Sequence, residues 1–397
     1  EFISSGEVRD LRRSDPKVNR YGRTDFEYDR LAPLLWGQFN PDDKLFVGAG
    51  MLYIRHGFRK EPFAQRHLLL ASIAPATESY NFRYRGLFIK AIGNLDLDID
   101  ADLKSPNYVN NFFGMGNESV YNDDIDDEPG ISVDESIDYY RYRFNEVLLH
   151  PAISGVVWGK TRIQLGPVFQ QVRMQRPDED EDRFIEEYAN TLPFDLFQRT
   201  DRFLGVGWSV TSGVPDSIIF PRRGMRLSVA GRSLRSTEDD NGFSSFDGSV
   251  SMYYSARERS RAVLAARLGG GTNVGTFPFY QAQILGGRNY VRGYRKTRFY
   301  GDSKIYANAE LRLRIANFRS YLFPASFGIH AFIDAGRVWY KDENGIDPST
   351  LTGESNRWHY GIGGGVWFTP FNLTVLSLEA ARSPEGTMAY IRLGFLF

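Results

Sequence analysis

The feature that most restricts this chain is a strict alternation of polar and apolar side chains, kept up over unusually long segments. Across 304–315 one face reads Lys304, Tyr306, Asn308, Glu310, Arg312, Arg314 and the other Ile305, Ala307, Ala309, Leu311, Leu313, Ile315. Successive side chains of a strand point to opposite sides, so this is a ribbon with one wholly apolar face. Strands in soluble domains mostly stop after about five or six residues. The same split recurs in Leu95–Leu103, where Leu95, Leu97, Ile99, Ala101 and Leu103 oppose Asp96, Asp98, Asp100 and Asp102. At the end of the chain Ala389, Ile391, Leu393, Phe395 and Phe397 face one way, and Tyr390, Arg392 and Gly394 the other. An apolar face running to Phe397 suits a closing strand that meets lipid.

Marking strands by alternation and breaks by Gly, Pro, Asp and Asn clusters gives roughly sixteen segments. They start near Leu31, Lys44, Arg66, Ser79, Leu95, Asp138, Ser154, Arg199, Gly224, Gly242, Arg261, Ser303, Ala325, Arg357, Leu373 and Thr387. The connections have a parity. Odd-to-even ones include the long polar stretches Lys104–Ile137, Met174–Gln198, Thr272–Asp302 and Lys341–Asn356. Even-to-odd ones are mostly tight: Gly93–Asn94, Pro151–Ile153, Ala256–Arg259 and Pro370–Asn372. Outer-membrane barrels have long loops outside and short turns in the periplasm. The expectation is an all-β, antiparallel transmembrane barrel occupying 31–397, with both termini periplasmic. Residues 1–30 are charged and poorly periodic, and read as a linker entering the barrel.

Composition fits. No run approaches the roughly 18 apolar residues of a membrane helix, and the mean hydropathy is only −0.38. A barrel produces that value because lipid-facing and lumen-facing residues cancel. Aromatics at 15% suit girdles at two membrane interfaces. The absence of Cys excludes disulfides and thiolate metal sites. A net charge of −1, with basic residues interspersed among acids, gives no stripe for nucleic acid. No signal peptide is visible at Glu1, so an export signal is expected upstream or already removed.

The chemical motifs fail on inspection. Asp96-Leu-Asp-Leu-Asp-Ile-Asp spaces carboxylates like a calcium loop, but Gly is needed sixth and Glu twelfth, where Ala101 and Asn107 stand. The acids instead line the polar face of a strand. Gly155-Val-Val-Trp-Gly-Lys-Thr161 is one residue short of a phosphate loop and lies in a strand-like segment. The acidic stretches Asp123–Glu128 and Asp178–Glu187 read as solvated loop surface, with divalent-ion bridging to lipopolysaccharide as the functional alternative. No G-x-S-x-G elbow occurs, and the histidines lack ligand spacing. Neither catalytic residues, a cofactor nor a metal site is expected.

One segment does carry specific information: Gln283-Ile-Leu-Gly-Gly-Arg-Asn-Tyr-Val-Arg-Gly-Tyr-Arg295, in the long connection before the twelfth strand. It is oddly hydrophobic and basic for a surface loop. If it folds inward, Arg292 needs carboxylate partners in a confined, poorly solvated lumen. Glu310, between Asn308 and Arg312, and Asp334, among His330, Phe332 and Gly336, sit on the polar faces of the next two strands.

With Val291-Arg-Gly-Tyr294, then Gly301-Asp302, Ala309-Glu-Leu-Arg312 and Phe332-Ile-Asp-Ala-Gly-Arg-Val-Trp339, the chain resembles the BamA/TamA/TpsB superfamily of outer-membrane barrels. The resemblance is specific over about 285–397 and architectural before that. It implies that the sixth extracellular loop turns into the lumen. Its motif Val291, Arg292, Gly293, Tyr294 would be locked there by Glu310 and Asp334, with Gly336 in the accompanying F-x-D-x-G. It implies insertion or translocation of polypeptide clients at the outer membrane, among lipid and lipopolysaccharide, with periplasmic or lipoprotein accessory subunits. The mechanism would use a weak seam between first and last strands, marked by Pro33, which lacks a ladder donor, and by Phe397. Members normally carry periplasmic POTRA or other domains ahead of the barrel, for which 1–30 is too short. The rival functions are a barrel anchor for an upstream periplasmic or surface domain such as a fused hydrolase, an accessory subunit of an assembly complex, and, ranked last, a passive porin.

Overall fold

A computed structural model describes residues 27–397 except 41–43, 58–59, 76–77, 130, 179–180, 214, 218, 258–259, 320–322, 342–356 and 372. Most of the 1–30 linker therefore lies outside the described residues. The strands are β1 (Arg30–Asn40), β2 (Lys44–Gly57), β3 (Lys60–Ala74), β4 (Ser79–Ile92), β5 (Leu95–Asn111), β6 (Arg141–Trp158), β7 (Thr161–Met174), β8 (Thr200–Ser212), β9 (Gly224–Ser236), β10 (Gly242–Tyr254) and β11 (Ala262–Gly275). After these come the short β12 (Gln283–Leu285) and β13 (Phe299–Gly301), then β14 (Ser303–Arg319), β15 (Pro324–Trp339), β16 (His359–Pro370), β17 (Leu376–Ser383) and β18 (Gly386–Leu393). All but β12 and β13 form one closed antiparallel barrel in which chain neighbours are sheet neighbours and β18 returns to β1. This is the sixteen-stranded barrel that the alternation implied.

The alternation does the sorting. On β14, Lys304, Tyr306, Asn308, Glu310 and Arg312 are buried inside, while Leu311 and Ile315 are exposed on the outer wall. On β15 His330, Phe332 and Asp334 point in and Ile329 and Ile333 point out. A soluble protein could not leave so continuous an apolar belt in water; in a bilayer it is the lipid-facing surface. The acids of β5 lie on the inner face and find cations on nearby strands: Asp102 with Arg83 of β4 at 2.7 Å, Asp100 with Arg85 of β4 at 3.1 Å, and Asp96 with Arg162 of β7, across β6, at 2.9 Å.

Beyond shifted strand ends, such as β5 running on to Asn111 through the start of the expected Lys104–Ile137 connection, two differences from the sequence reading change the picture of the wall. The turn expected at Pro151–Ile153 is absent, because β6 continues to Trp158 and turns at Gly159, whose φ is +57°. Pro151 and Pro167 fall opposite one another between the registered pairs Leu149↔Phe169 and Ile153↔Leu165. Two residues without N–H groups remove ladder bonds there without bending the strand back. The second difference is at the seam. β18 stops at Leu393, and Gly394 adopts φ +96°, which breaks the alternation. Phe395 and Phe397 then turn into the lumen, the Phe395 ring centroid lying 4.0 Å from the Arg312 guanidinium. Neither faces lipid, and Phe397 is not a seam residue.

Pro33 does lie in β1, opposite Met51 of β2. Among the described residues, β1 meets β18 through one registered pair, Phe39↔Ile391. Continuing that register would set Pro33 opposite Phe397, which has left the wall.

Candidate functional site

The connection between β11 and β14 crosses the interior. Its β12–β13 hairpin pairs Gln283↔Gly301 to Leu285↔Phe299, and its polar groups reach side chains around the inner wall. Gln281 donates to Gln170 of β7 at 3.0 Å and accepts from Arg232 of β9 at 2.7 Å. Gln283 donates to Ser245 of β10 at 3.2 Å, and Arg267 of β11 donates to the Asn289 carbonyl at 2.6 Å. Thr297 and Tyr300 donate to the Asn111 carbonyl at the end of β5, at 2.6 and 2.7 Å. A segment rich in Gly and apolar residues can lie here because the lumen satisfies its backbone.

At its centre Arg292 is fully buried. Its Nε and Nη2 donate to the two oxygens of Asp334 at 2.7 and 2.9 Å, and its backbone N–H to Oδ2 at 3.1 Å. Nη1 donates to Glu310 Oε1 at 2.8 Å and to Glu379 Oε2 at 3.3 Å. The guanidinium carbon sits 3.4 Å from the Phe332 ring centroid. The planar fork suits this set of acceptors, which a point charge could not serve.

The acids have further partners. Arg312 donates through Nε and Nη2 to Glu310 Oε2 at 2.9 and 2.7 Å. Asn308 donates to Asp334 Oδ1 at 2.8 Å. Glu379 faces His330 at 3.5 Å and Arg392 at 3.7 Å. Among the guanidiniums and carboxylates, the three cations Arg292, Arg312 and Arg392 match the three anions Glu310, Asp334 and Glu379, so these groups together carry no formal net charge. That balance is what makes burial tolerable.

Backbone shape seats the motif. Gly293 has φ +94°; its N–H donates to Tyr390 Oη at 3.0 Å and its carbonyl accepts from Ser383 Oγ at 2.6 Å. Val291 and Tyr294 pack with Leu285, Phe299, Tyr306 and Val338 in a small apolar cluster. Gly336 makes room for Leu285, whose methyls lie 3.0 Å from where a Cβ would stand. It thus supports the loop's packing and gives Arg292 no polar partner.

The closest approach is at Gly361 of β16, where a Cβ would meet the Arg292 carbonyl at 1.8 Å. Gly361→Ala should therefore displace the motif and cost about 3 kcal/mol, the upper end of ordinary overpacking. Gly248→Ala, with nothing within 4 Å of its Cβ, should change stability by less than about 0.5 kcal/mol. Urea midpoints of the two variants in detergent check this.

The structure thus brings Arg292, Glu310 and Asp334 together, and adds Glu379, Arg312, His330 and Arg392, which sequence reasoning had not assigned to the site. Glu379 alternates with Ser377, Ala381 and Ser383 on the inner face of β17, a signal of orientation but not of partner.

Three findings place the chain among known proteins. A family model described as the Omp85 superfamily domain matches residues 102–380. The fold is similar to that of BamA from Haemophilus ducreyi lacking POTRA domains 1–3, with a TM-score of 0.62 at 13% identity; the match covers 93% of this chain and 70% of that one. It is also similar to CdiB from Acinetobacter baumannii, with a TM-score of 0.54 at 14% identity, covering 92% and 59%.

Proposed function

The chain belongs to the Omp85 superfamily, and on that premise we propose that it is the membrane-embedded part of an insertase or translocase for polypeptides at the bacterial outer membrane. Residues 31–397 form the working barrel and 1–30 its lead-in, with both ends of the chain periplasmic, a placement supported by the long and short connections at opposite ends. Its partners are outer-membrane lipid and lipopolysaccharide, unfolded polypeptide clients, and accessory periplasmic or lipoprotein subunits. No bond-making chemistry is assigned to it.

The observation that carries this reading is the seam. Neighbouring strands elsewhere are joined over long registers, such as Leu376↔Leu393 to Ser383↔Gly386 between β17 and β18. β1 and β18 share Phe39↔Ile391 among the described residues. A thinly bonded edge in lipid is costly for a barrel that only needs to stay shut. For an insertase it is a template, since an incoming strand can add to it by backbone pairing. The buried loop then has a role as well: Arg292, Glu310 and Asp334 lock it, and so stiffen the wall from β14 to β17 next to the moving edge. A loop held inside the lumen by contacts to β7, β9, β10 and β15 argues against a passive porin.

The test is catalysed folding. Vesicles containing the protein should fold a urea-denatured outer-membrane barrel client, read as its heat-modifiable band, faster than empty vesicles. Equal rates would leave the barrel as an anchor for an upstream domain and sink the proposal.

A further inference from the structure

Arg312 touches two things at once. Nη2 donates to Glu310 Oε2 and to the Phe397 carbonyl, at 2.7 and 2.9 Å. Glu310 gives its other oxygen to Arg292 at 2.8 Å. Above the Arg312 guanidinium lies Phe395, which packs edge-on against Trp367 of β16 at 5.9 Å and Phe220 of the β8–β9 connection at 5.5 Å. Phe220 in turn meets Trp367 at 4.9 Å. The tail after Gly394 is the direct continuation of β18, the seam strand. These contacts run unbroken from the loop motif to the seam.

We infer that Arg312 is a positioning residue that couples the lumen loop to the C-terminal tail, with Phe395 sealing the charge cluster against water from the short-turn end. The inference rests on the reading of the loop as locked by Arg292. Its physical basis is dielectric. Arg292, Glu310 and Arg312 attract one another strongly only while water is excluded. Removing the aromatic cover hydrates Arg312 and Glu310 and weakens the bond from Glu310 to Arg292. By linkage the effect is reciprocal: a loop that leaves opens Glu310 and Arg312 to water, and the bond from Arg312 to the Phe397 carbonyl that anchors the tail weakens with it. Opening of the seam strand and release of the loop then favour each other.

The chain has no Cys, so Val291→Cys gives a single thiol at a fully buried loop position that reacts with maleimide only when the loop leaves its seat. In this background, for variants that keep the heat-modifiable barrel, Phe395→Ala and Arg312→Gln should each speed labelling roughly tenfold, a typical coupling between sites. Together they should do no more than either alone, because they act on one pathway. Phe395→Leu, which keeps an apolar cover, should label at the parental rate. Parental labelling in Phe395→Ala, or effects that multiply in the double variant, would overturn the coupling. Arg292→Ala is the separate control: it should speed labelling whatever the tail does, and if it does not, the lock reading itself fails.

Discussion

Replacing Arg292 by alanine is expected to destabilise the folded barrel by about 3–5 kcal/mol, the cost of breaking a buried ion pair by removing one partner. The magnitude follows from what remains. Glu310, Asp334 and Glu379 are all within hydrogen-bond distance of that guanidinium, and without it a neutral cluster becomes one with a formal charge of −1. Arg312 and Arg392 cannot compensate, since Arg312 is already bonded to Glu310 and Arg392 stands 3.7 Å from Glu379. The Asp334 carboxylate would also lose the N–H of residue 292 once the loop moved. An exposed pair such as Arg235–Asp240, at 3.3 Å on the loop surface, is worth at most about 1 kcal/mol, so Arg235→Ala is the natural reference. Arg292→Lys should recover only part of the loss, because an ammonium cannot hold Asp334 through two parallel bonds while reaching Glu310. Urea unfolding in detergent, followed by the heat-modifiable band, ranks the variants. Arg292→Ala no weaker than Arg235→Ala would show that the cluster does not hold the loop.

How much of this was legible beforehand depended on which physical rule was at stake. The barrel strands could be read because lipid on one side and lumen on the other impose a two-residue period that a one-residue slip would destroy. Arg292, Glu310 and Asp334 could be paired because a buried cation demands acids, and strand parity restricted the candidates. Glu379 could not be assigned that way. It reaches Arg292 past β16, where Gly361 lets the loop backbone approach the wall, and such depth is a property of the assembled sheet. Phe395 and Phe397 misled because their spacing continues the outer face of β18, whereas the positive φ of Gly394 shifts the phase. Pro151 misled in the opposite sense, as a turn signal inside a strand that simply forgoes a ladder bond. Periodicity located the strands; single glycines and prolines decided where it stopped applying.

The largest functional effect is expected at the seam. Phe39 and Ile391 are directly paired, and opposed residues in an antiparallel pair have Cα atoms about 4.5–5.5 Å apart, within disulfide range. Phe39→Cys with Ile391→Cys therefore places one cross-link on the closure between β1 and β18, with no other thiol in the chain. Ala380→Cys with Ala389→Cys makes the matching cross-link between β17 and β18, where no opening is required. Each pair is reconstituted into vesicles, oxidised, and scored for folding of a denatured barrel client before and after reduction. If polypeptides enter through the seam, the oxidised Phe39/Ile391 pair should fall to the rate of empty vesicles and recover on reduction, while the Ala380/Ala389 pair stays active throughout. Equal client folding by the oxidised and reduced Phe39/Ile391 protein would contradict lateral opening.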